Sequence, residues 1–199
     1  MQAHSPTVVV FDIGEVLSEA PGLFEELARA LGRPADEVRA EYWAERDDYD
    51  RGAECAPYWG GIARRLGVEI SDDLIERLSG IDSNAWTTVR PAAAHLLEVA
   101  AEDRTVAVLS NAPLPMAAAA RNSDWAPHVE HWFFSSELRM AKPDEAIYAA
   151  VTDALGVDGG SIAFIDDREH NVAAASRAGW KAHLWVSDDD SRAFLRELG

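Results

Sequence analysis

The chain has almost no cysteine: Cys55 is the one thiol among 199 residues. No internal disulfide can form, so a reducing cytoplasm is the expected setting. Positive charge is also scarce. Lys and Arg together number 18 against 35 Asp and Glu, and the formal net charge of -17 repels nucleic-acid backbones and anionic membranes at long range. Neither nucleic acid nor a membrane is an expected partner, whereas a small anion remains compatible if a local cationic centre receives it. No run approaches the roughly 18 uninterrupted apolar residues that suggest a transmembrane helix. The start, MQAHSPT, has neither the basic stretch nor the apolar run of a signal peptide. Internal repeats and low-complexity segments are missing too.

What is present suits a folded globule. Hydrophobic residues make up 48% and charged residues 27%, so the chain is expected to fold throughout, as one α/β domain or as such a domain carrying a small insertion. Short apolar runs occur at 7–11 (TVVVF), 105–109 (TVAVL), 162–165 (IAFI) and 182–186 (AHLWV), with a weaker one at 131–134 (HWFF). Such runs are the pattern of strands buried on both faces of a parallel sheet. Helical patterns at 92–101, 115–121, 144–155 and 171–178 separate most of them, punctuated by Pro91 before the first and by Gly156 and Gly179 after the last two. This alternation predicts a five-stranded parallel α/β sheet with helices on both faces.

Between residues 18 and 89 the rhythm breaks. Leu23, Phe24, Leu27 and Leu31 fall at helical spacing, as do Leu74, Ile75 and Leu78 behind a cap at Ser71. The expected organisation is therefore a core of residues 1–17 and 90–199 with an all-helical cap, 18–89, inserted after the first strand. The aromatics Tyr42, Trp43, Tyr49, Tyr58 and Trp59 are expected to pack the cap, with one or two at most facing a substrate. Trp180 and Trp185 are expected in core or edge packing, Cys55 as inert, and the acidic cluster at 188–190 as a solvated turn.

In an open parallel sheet the ligand sits beyond the carboxyl ends of the strands. Asp12 follows the first run, Ser110 and Asn111 the second, Lys142 the weak third within MAKPDEAIY, and Asp166 and Asp167 the fourth. Singly, each has an ordinary explanation: a turn residue for Asp12, a helix cap for Ser110 and Asn111, a surface lysine for Lys142. Together they are harder to explain away. Three carboxylates on one rim repel one another unless a hard cation lies between them, and Mg²⁺ is the natural choice. With the cation and Lys142 neutralising phosphate oxygens, one carboxylate can attack phosphorus while the Ser110 hydroxyl and nearby N–H groups hold the remaining oxygens.

The segments FDIGEVL, LSN, AKP and FIDD, in this order and spacing, resemble the four motifs of haloacid-dehalogenase-like (HAD) hydrolases. The resemblance spans the whole chain, and the insertion is similar to that family's cap between the first and second motifs. Within the superfamily the chain is most similar to small sugar-phosphate phosphatases and to the phosphatase domain of epoxide hydrolases, whose fourth motif also carries an Asp-Asp pair. The resemblance implies a Rossmann-like core and Mg²⁺-dependent hydrolysis of a small phosphorylated metabolite through an aspartyl-phosphate on Asp12. Asp12 would be nucleophile and metal ligand, the Gly14 backbone carbonyl a second ligand and Asp167 a third, with Asp166 close behind them or substituting for one. Ser110 and Asn111 would bind phosphate, and Lys142 would balance charge.

Gly14 departs from the pattern. Most phosphatases of this superfamily carry a second Asp there, which protonates the leaving group and later activates water. Its absence points to a slow enzyme, since general acid catalysis contributes about 10²–10⁴ in rate. Glu15 is adjacent but points differently. Two alternatives stay open: a binding or regulatory protein that keeps the fold without turnover, and a metal-independent dehalogenase using Asp12 on carbon. Dehalogenases of this type normally replace the acidic pair and use a cap arginine for halide. Beyond the pair, Asn171 is expected to cap the next helix, with His170 beside it near the substrate.

Overall fold

Val8, Val9, Val10 and Phe11 are all buried, as are the five residues from Ile162 to Asp166, and strands without a solvent face belong in the middle of a covered sheet. The computed structural model describes residues 7–198. Its strands are β1 (Val8–Phe11), β2 (Thr105–Ser110), β3 (His131–Phe134), β4 (Ile162–Asp166) and β5 (Lys181–Leu184). They form one sheet of order β3-β2-β1-β4-β5, every neighbour parallel. Phe11 is level with Val108 on one side and Ile165 on the other. The chain leaves β1 for one neighbour and later returns to its other side, so a crevice opens beyond the end of β1.

Five helices fill the segment between β1 and the rest of the sheet: α1 (Leu23–Leu31), α2 (Ala35–Ala44), α3 (Arg46–Asp50), α4 (Cys55–Leu66) and α5 (Asp72–Thr87). Six more follow: α6 (Pro91–Ala100), α7 (Leu114–Arg121), α8 (Ser135–Leu138), α9 (Glu145–Leu155), α10 (Glu169–Arg177) and α11 (Asp188–Glu197). In α1 the buried residues are Leu23, Phe24, Leu27 and Leu31, one stripe at helical period. The Ser71 side chain accepts the Leu74 N–H and caps α5.

Alternate strand residues feed two hydrophobic clusters, as the period of two requires. Val8, Val10, Ala107, Leu109, Ile162 and Phe164 pack with Ile147, Tyr148, Val151 and Ala174 of α9 and α10. Val9, Phe11, Val106, Val108, Ala163 and Ile165 pack on the other face, and that cluster runs on through Leu27, Tyr42, Trp59 and Leu78 of the inserted helices. No helix of the described residues is long and apolar enough to cross a membrane.

Several boundaries differ from the sequence expectation. Ser110 and Asp166 are the last residues of their strands rather than the first beyond them, and β5 ends at Leu184, leaving Trp185 and Val186 outside. The acids Asp188, Asp189 and Asp190 do not form a solvated turn; they are the first turn of α11. There the Ser187 side chain accepts the Asp190 N–H, and the carboxylates face the positive end of the helix dipole. Asn171 is not a cap either: it lies inside α10, whose capping position is Arg168.

Candidate active site

The ends of β1, β2 and β4 place Asp12, Ser110 and Asp166 on one rim, with Asp167 following and Lys142 arriving from the loop between α8 and α9. Asp12, Asp166 and Asp167 each offer a carboxylate oxygen within 4.8 Å of the others. Asp12 is 7% exposed and Lys142 4%. The Lys142 ammonium stands 3.0 Å from Asp12 Oδ1 and 2.6 Å from Asp166 Oδ2. Asp12 Oδ1 also accepts the Ile13 N–H at 2.8 Å.

Asp166 is wholly buried and occupied by protein partners. Its Oδ1 accepts the Arg168 N–H and the Asn171 amide, both at 2.9 Å, and Oδ2 receives Lys142 together with a longer 3.1 Å contact from the same amide. Asn111 braces the lysine from the other side: its Oδ1 accepts the Lys142 N–H and its Nδ2 donates to the Lys142 carbonyl, each at 2.9 Å. The Asn111 amide is thus held by backbone at both ends, rather than turned wholly toward a phosphate. Ser110, 2% exposed, lines the cleft from the end of β2.

A cleft of about 340 Å³ opens above this rim. One wall, beside the strand ends and here called the core wall, includes Asp12, Gly14, Glu15, Ser110, Lys142 and Asp167; the other, supplied by the inserted helices and here called the cap wall, is Trp43, Arg46, Asp47, Asp50 and Trp86. Asp167 lines the cleft and Asp166 does not. Gly14 has no left-handed φ, and a Cβ there would meet only the Trp86 ring, at 3.5 Å. Under the cap wall runs a buried polar network. Arg46 binds Asp50, Asp82 and the Tyr42 hydroxyl, while that hydroxyl donates to Asp82 at 2.6 Å and accepts the Trp86 N–H at 2.8 Å.

The rim is electrostatically unbalanced as it stands. Burial pushes the Asp12 carboxyl from 3.8 up to about 6, Lys142 opposing and Asp166 adding to the push. Burial and then Asp166 raise Asp167 as well. For Lys142, burial works against the charge, but Asp12 and Asp166 outweigh it and hold the ammonium above its usual range. One lysine serves three clustered carboxylates. This all-oxygen donor set suits a hard divalent cation, which would reverse the upward push on the acids.

Asp12, Gly14, Ser110, Asn111, Lys142 and Asp167 are brought together around the cleft, with Asp166 immediately behind them. His170 is exposed and lies outside the cleft lining. Of the aromatics in the insertion, Tyr42, Tyr49, Tyr58 and Trp59 are buried among the inserted helices, and Trp43 lines the cleft. Cys55 is unpaired, its sulfur 3.3 Å from the Tyr49 hydroxyl. Sequence reasoning missed Trp86, Arg46, Asp50, Arg168 and the part played by Asn171. The one available signal was Asn171 itself, a polar residue at a helical position next to the acidic pair.

Over residues 6–179 the sequence matches the family model of haloacid dehalogenase-like hydrolases. A protein of Mycobacterium tuberculosis (strain CDC 1551 / Oshkosh) named as a phosphatase is 29% identical over 192 residues, covering 90% of this chain and 87% of that one. Among solved structures, a HAD-family enzyme of Bacteroides thetaiotaomicron matches with a TM-score of 0.73 at 23% identity, over 96% of this chain and 98% of that one. A variant of that enzyme solved with magnesium and inorganic phosphate matches at 0.71 and 23%, over 90% and 93%. The L-2-haloacid dehalogenase of Xanthobacter autotrophicus, solved with chloropropionic acid covalently bound, matches at 0.73 and 20%, over 96% and 83%. At these identities the structural likeness speaks for the fold.

Proposed function

The chain belongs to the haloacid dehalogenase-like hydrolase family, and within it we propose that it is a Mg²⁺-dependent phosphatase of small phosphomonoesters working through an aspartyl-phosphate on Asp12. The observation that carries this reading is the position of Lys142, 3.0 Å from Asp12 and 2.6 Å from Asp166, in a rim that also holds Asp167. Asp12, Asp167 and the Gly14 carbonyl would hold Mg²⁺, which when bound supplies positive charge against the phosphate oxygens. The name of the mycobacterial relative and the magnesium and phosphate found with the Bacteroides enzyme support the same reading.

Asp12 Oδ1 is held by Lys142 and the Ile13 N–H, which leaves Oδ2 to attack phosphorus. As the new O–P bond forms, the ester P–O bond breaks and its electron pair leaves with the alcohol oxygen. Ser110 donates to a phosphate oxygen and Lys142 offsets the charge of nucleophile and phosphate. Gly14 has no proton to give, so the departing oxygen takes one from water. Water then attacks the aspartyl-phosphate, inorganic phosphate leaves, and the Asp12 carboxylate is restored. The dehalogenase reading meets an obstacle here: a haloacid is itself an anion, and two further carboxylates stand beside Asp12.

Phosphate release from p-nitrophenyl phosphate tests the reading. It should require Mg²⁺ and vanish in Asp12→Asn, with the fold kept by circular dichroism. Undiminished release in that variant overturns the nucleophile; chloride release from 2-chloropropionate without Mg²⁺ overturns the phosphatase. Binding of Mg²⁺ and phosphate with no turnover on any phosphomonoester would mark a binding protein instead.

A further inference from the structure

Phosphoryl transfer uses the core wall of the cleft and leaves the cap wall without a role. There the indoles of Trp43 and Trp86 form a corner, their centroids 6.4 Å apart and their planes at 71°. Trp86 is fixed in place by its bond to the Tyr42 hydroxyl and by contact over Gly14, two residues beyond Asp12. Trp43 keeps 45% of its surface exposed, a large value for so big an aromatic residue. Trp43 is the ring open to the cleft, and Trp86, 8% exposed, stands against it in an edge contact; an exposed indole attracts a cation through its quadrupole, the more strongly as that cation is desolvated.

The charges point the same way. The cleft lining holds five carboxylates, Asp12, Glu15, Asp47, Asp50 and Asp167, against the cations Arg46, Lys142 and Arg168; outside the lining Arg51 also pairs with Asp47 at 3.0 Å, and is itself shared with Asp144. Arg46 is shared between two carboxylates, 2.7 Å from Asp50 and 3.1 Å from Asp82, and Lys142 is already shared between Asp12 and Asp166. Burial pushes the Asp50 carboxyl up to about 6 despite Arg46, so its ionised form has positive charge still to gain. A phosphate dianion entering with one dication leaves the cleft with an excess of negative charge. A substrate that carries its own positive charge toward the cap offsets that excess.

Building on the phosphatase reading, we propose that the substrate is the phosphomonoester of a short amino alcohol, its ammonium held in the Trp43–Trp86 corner beside Asp47 and Asp50 while its phosphate faces Asp12. Trp43 and Asp50 are then specificity-determining residues.

The test compares matched pairs that differ in charge and little in shape: phosphocholine against 3,3-dimethylbutyl phosphate, and phosphoethanolamine against propyl phosphate. Values of kcat/KM are read on the parent, and dissociation constants on Asp12→Asn with Mg²⁺ present. In at least one pair the cationic member should be favoured by about tenfold or more, and both Trp43→Leu and Asp50→Asn should bring that ratio toward one. Asp50→Asn could disturb the buried Arg46, so Trp43→Leu, at an exposed position, carries the decision if that variant fails to fold. Ratios near one in both pairs, or ratios that Trp43→Leu leaves untouched, overturn the inference. Loss of p-nitrophenyl phosphate hydrolysis in Asp12→Asn judges the phosphatase reading separately, and if no ester is hydrolysed the binding ratios still decide the cation site.

Discussion

Lys142 lies nearer to Asp166, at 2.6 Å, than to Asp12, at 3.0 Å. The acid that anchors the lysine is therefore the one hidden beneath the rim, not the one facing the cleft. Asp166 is fully buried and its carboxylate also accepts from Arg168 and Asn171. Asp166→Asn should lower stability by about 3 kcal/mol, because a buried ammonium loses its closest counter-charge. Urea unfolding measures this, and a loss below about 1 kcal/mol would show that Asp12 alone satisfies the lysine.

Asp12 should behave in the opposite way. Burial raises its folded value to about 6 from 3.8, so without metal the folded protein disfavours the ionised carboxylate. Below pH 3.8 this costs nothing, the cost grows between there and about 6, and it is fully present above. In EDTA at pH 7, Asp12→Asn should thus be more stable than the parent by up to about 3 kcal/mol. The advantage should disappear by about pH 4. A variant less stable than the parent at pH 7 would place Asp12 among the groups that hold the fold together.

The metal should distinguish the two neighbouring acids. Asp167 lines the cleft, whereas Asp166 is spent on Lys142, Asn171 and a backbone N–H. By isothermal titration with Mg²⁺, Asp166→Asn should raise the dissociation constant by about tenfold, as loss of a supporting partner does, and Asp167→Asn by more. Equal or reversed losses would exchange their roles.

The turn between α3 and α4 meets α8 at Gly52 in a way only glycine permits. Its φ is +96°, and a Cβ would fall 2.7 Å from the Ser136 carbonyl oxygen. Beside it Arg139 donates to the Gly52 carbonyl and Arg51 pairs with Asp144. Gly52→Ala should cost about 2 kcal/mol through backbone strain and this clash, read as a drop in the thermal midpoint. An unchanged midpoint would mean that the 50–52 loop moves aside freely.

The sheet was legible because strands covered on both faces appear as unbroken apolar runs, and parallel strands carry their chemistry at their carboxyl ends. Asp12, Ser110 and the Asp166-Asp167 pair follow from that rule. Lys142 was legible through its motif more than through its strand, since β3 is short and only half buried. What could not be read depends on packing between elements distant in sequence. Trp86 reaches Gly14, and Arg46 reaches Asp82, only after five helices have folded together. Helix α11 was hidden by its acidic first turn, and α8, at four residues, is too short to show a period.

Gly14 gives the most direct test of the chemistry. With no carboxylate there to protonate the departing oxygen, hydrolysis by the parent should depend steeply on leaving-group pKa, aryl phosphates being favoured over alkyl phosphates. Gly14→Asp should raise turnover of poor leaving groups by up to about 10²-fold, with little change for good ones. The backbone accepts the substitution, since Gly14 is outside the left-handed region and its Cβ would make only an ordinary 3.5 Å contact with the Trp86 ring. That ring also stands in the path of the longer side chain, so the double variant Gly14→Asp with Trp86→Phe should show the gain at least as strongly. The new carboxylate can activate water for the second step too, and any aspartyl-phosphate trapped by acid quenching of the parent should then decline. If both variants fold and bind Mg²⁺ as the parent does, yet the dependence on leaving-group pKa stays the same, the proton already comes from a group in the cleft. The assignment of that step to water would then fail.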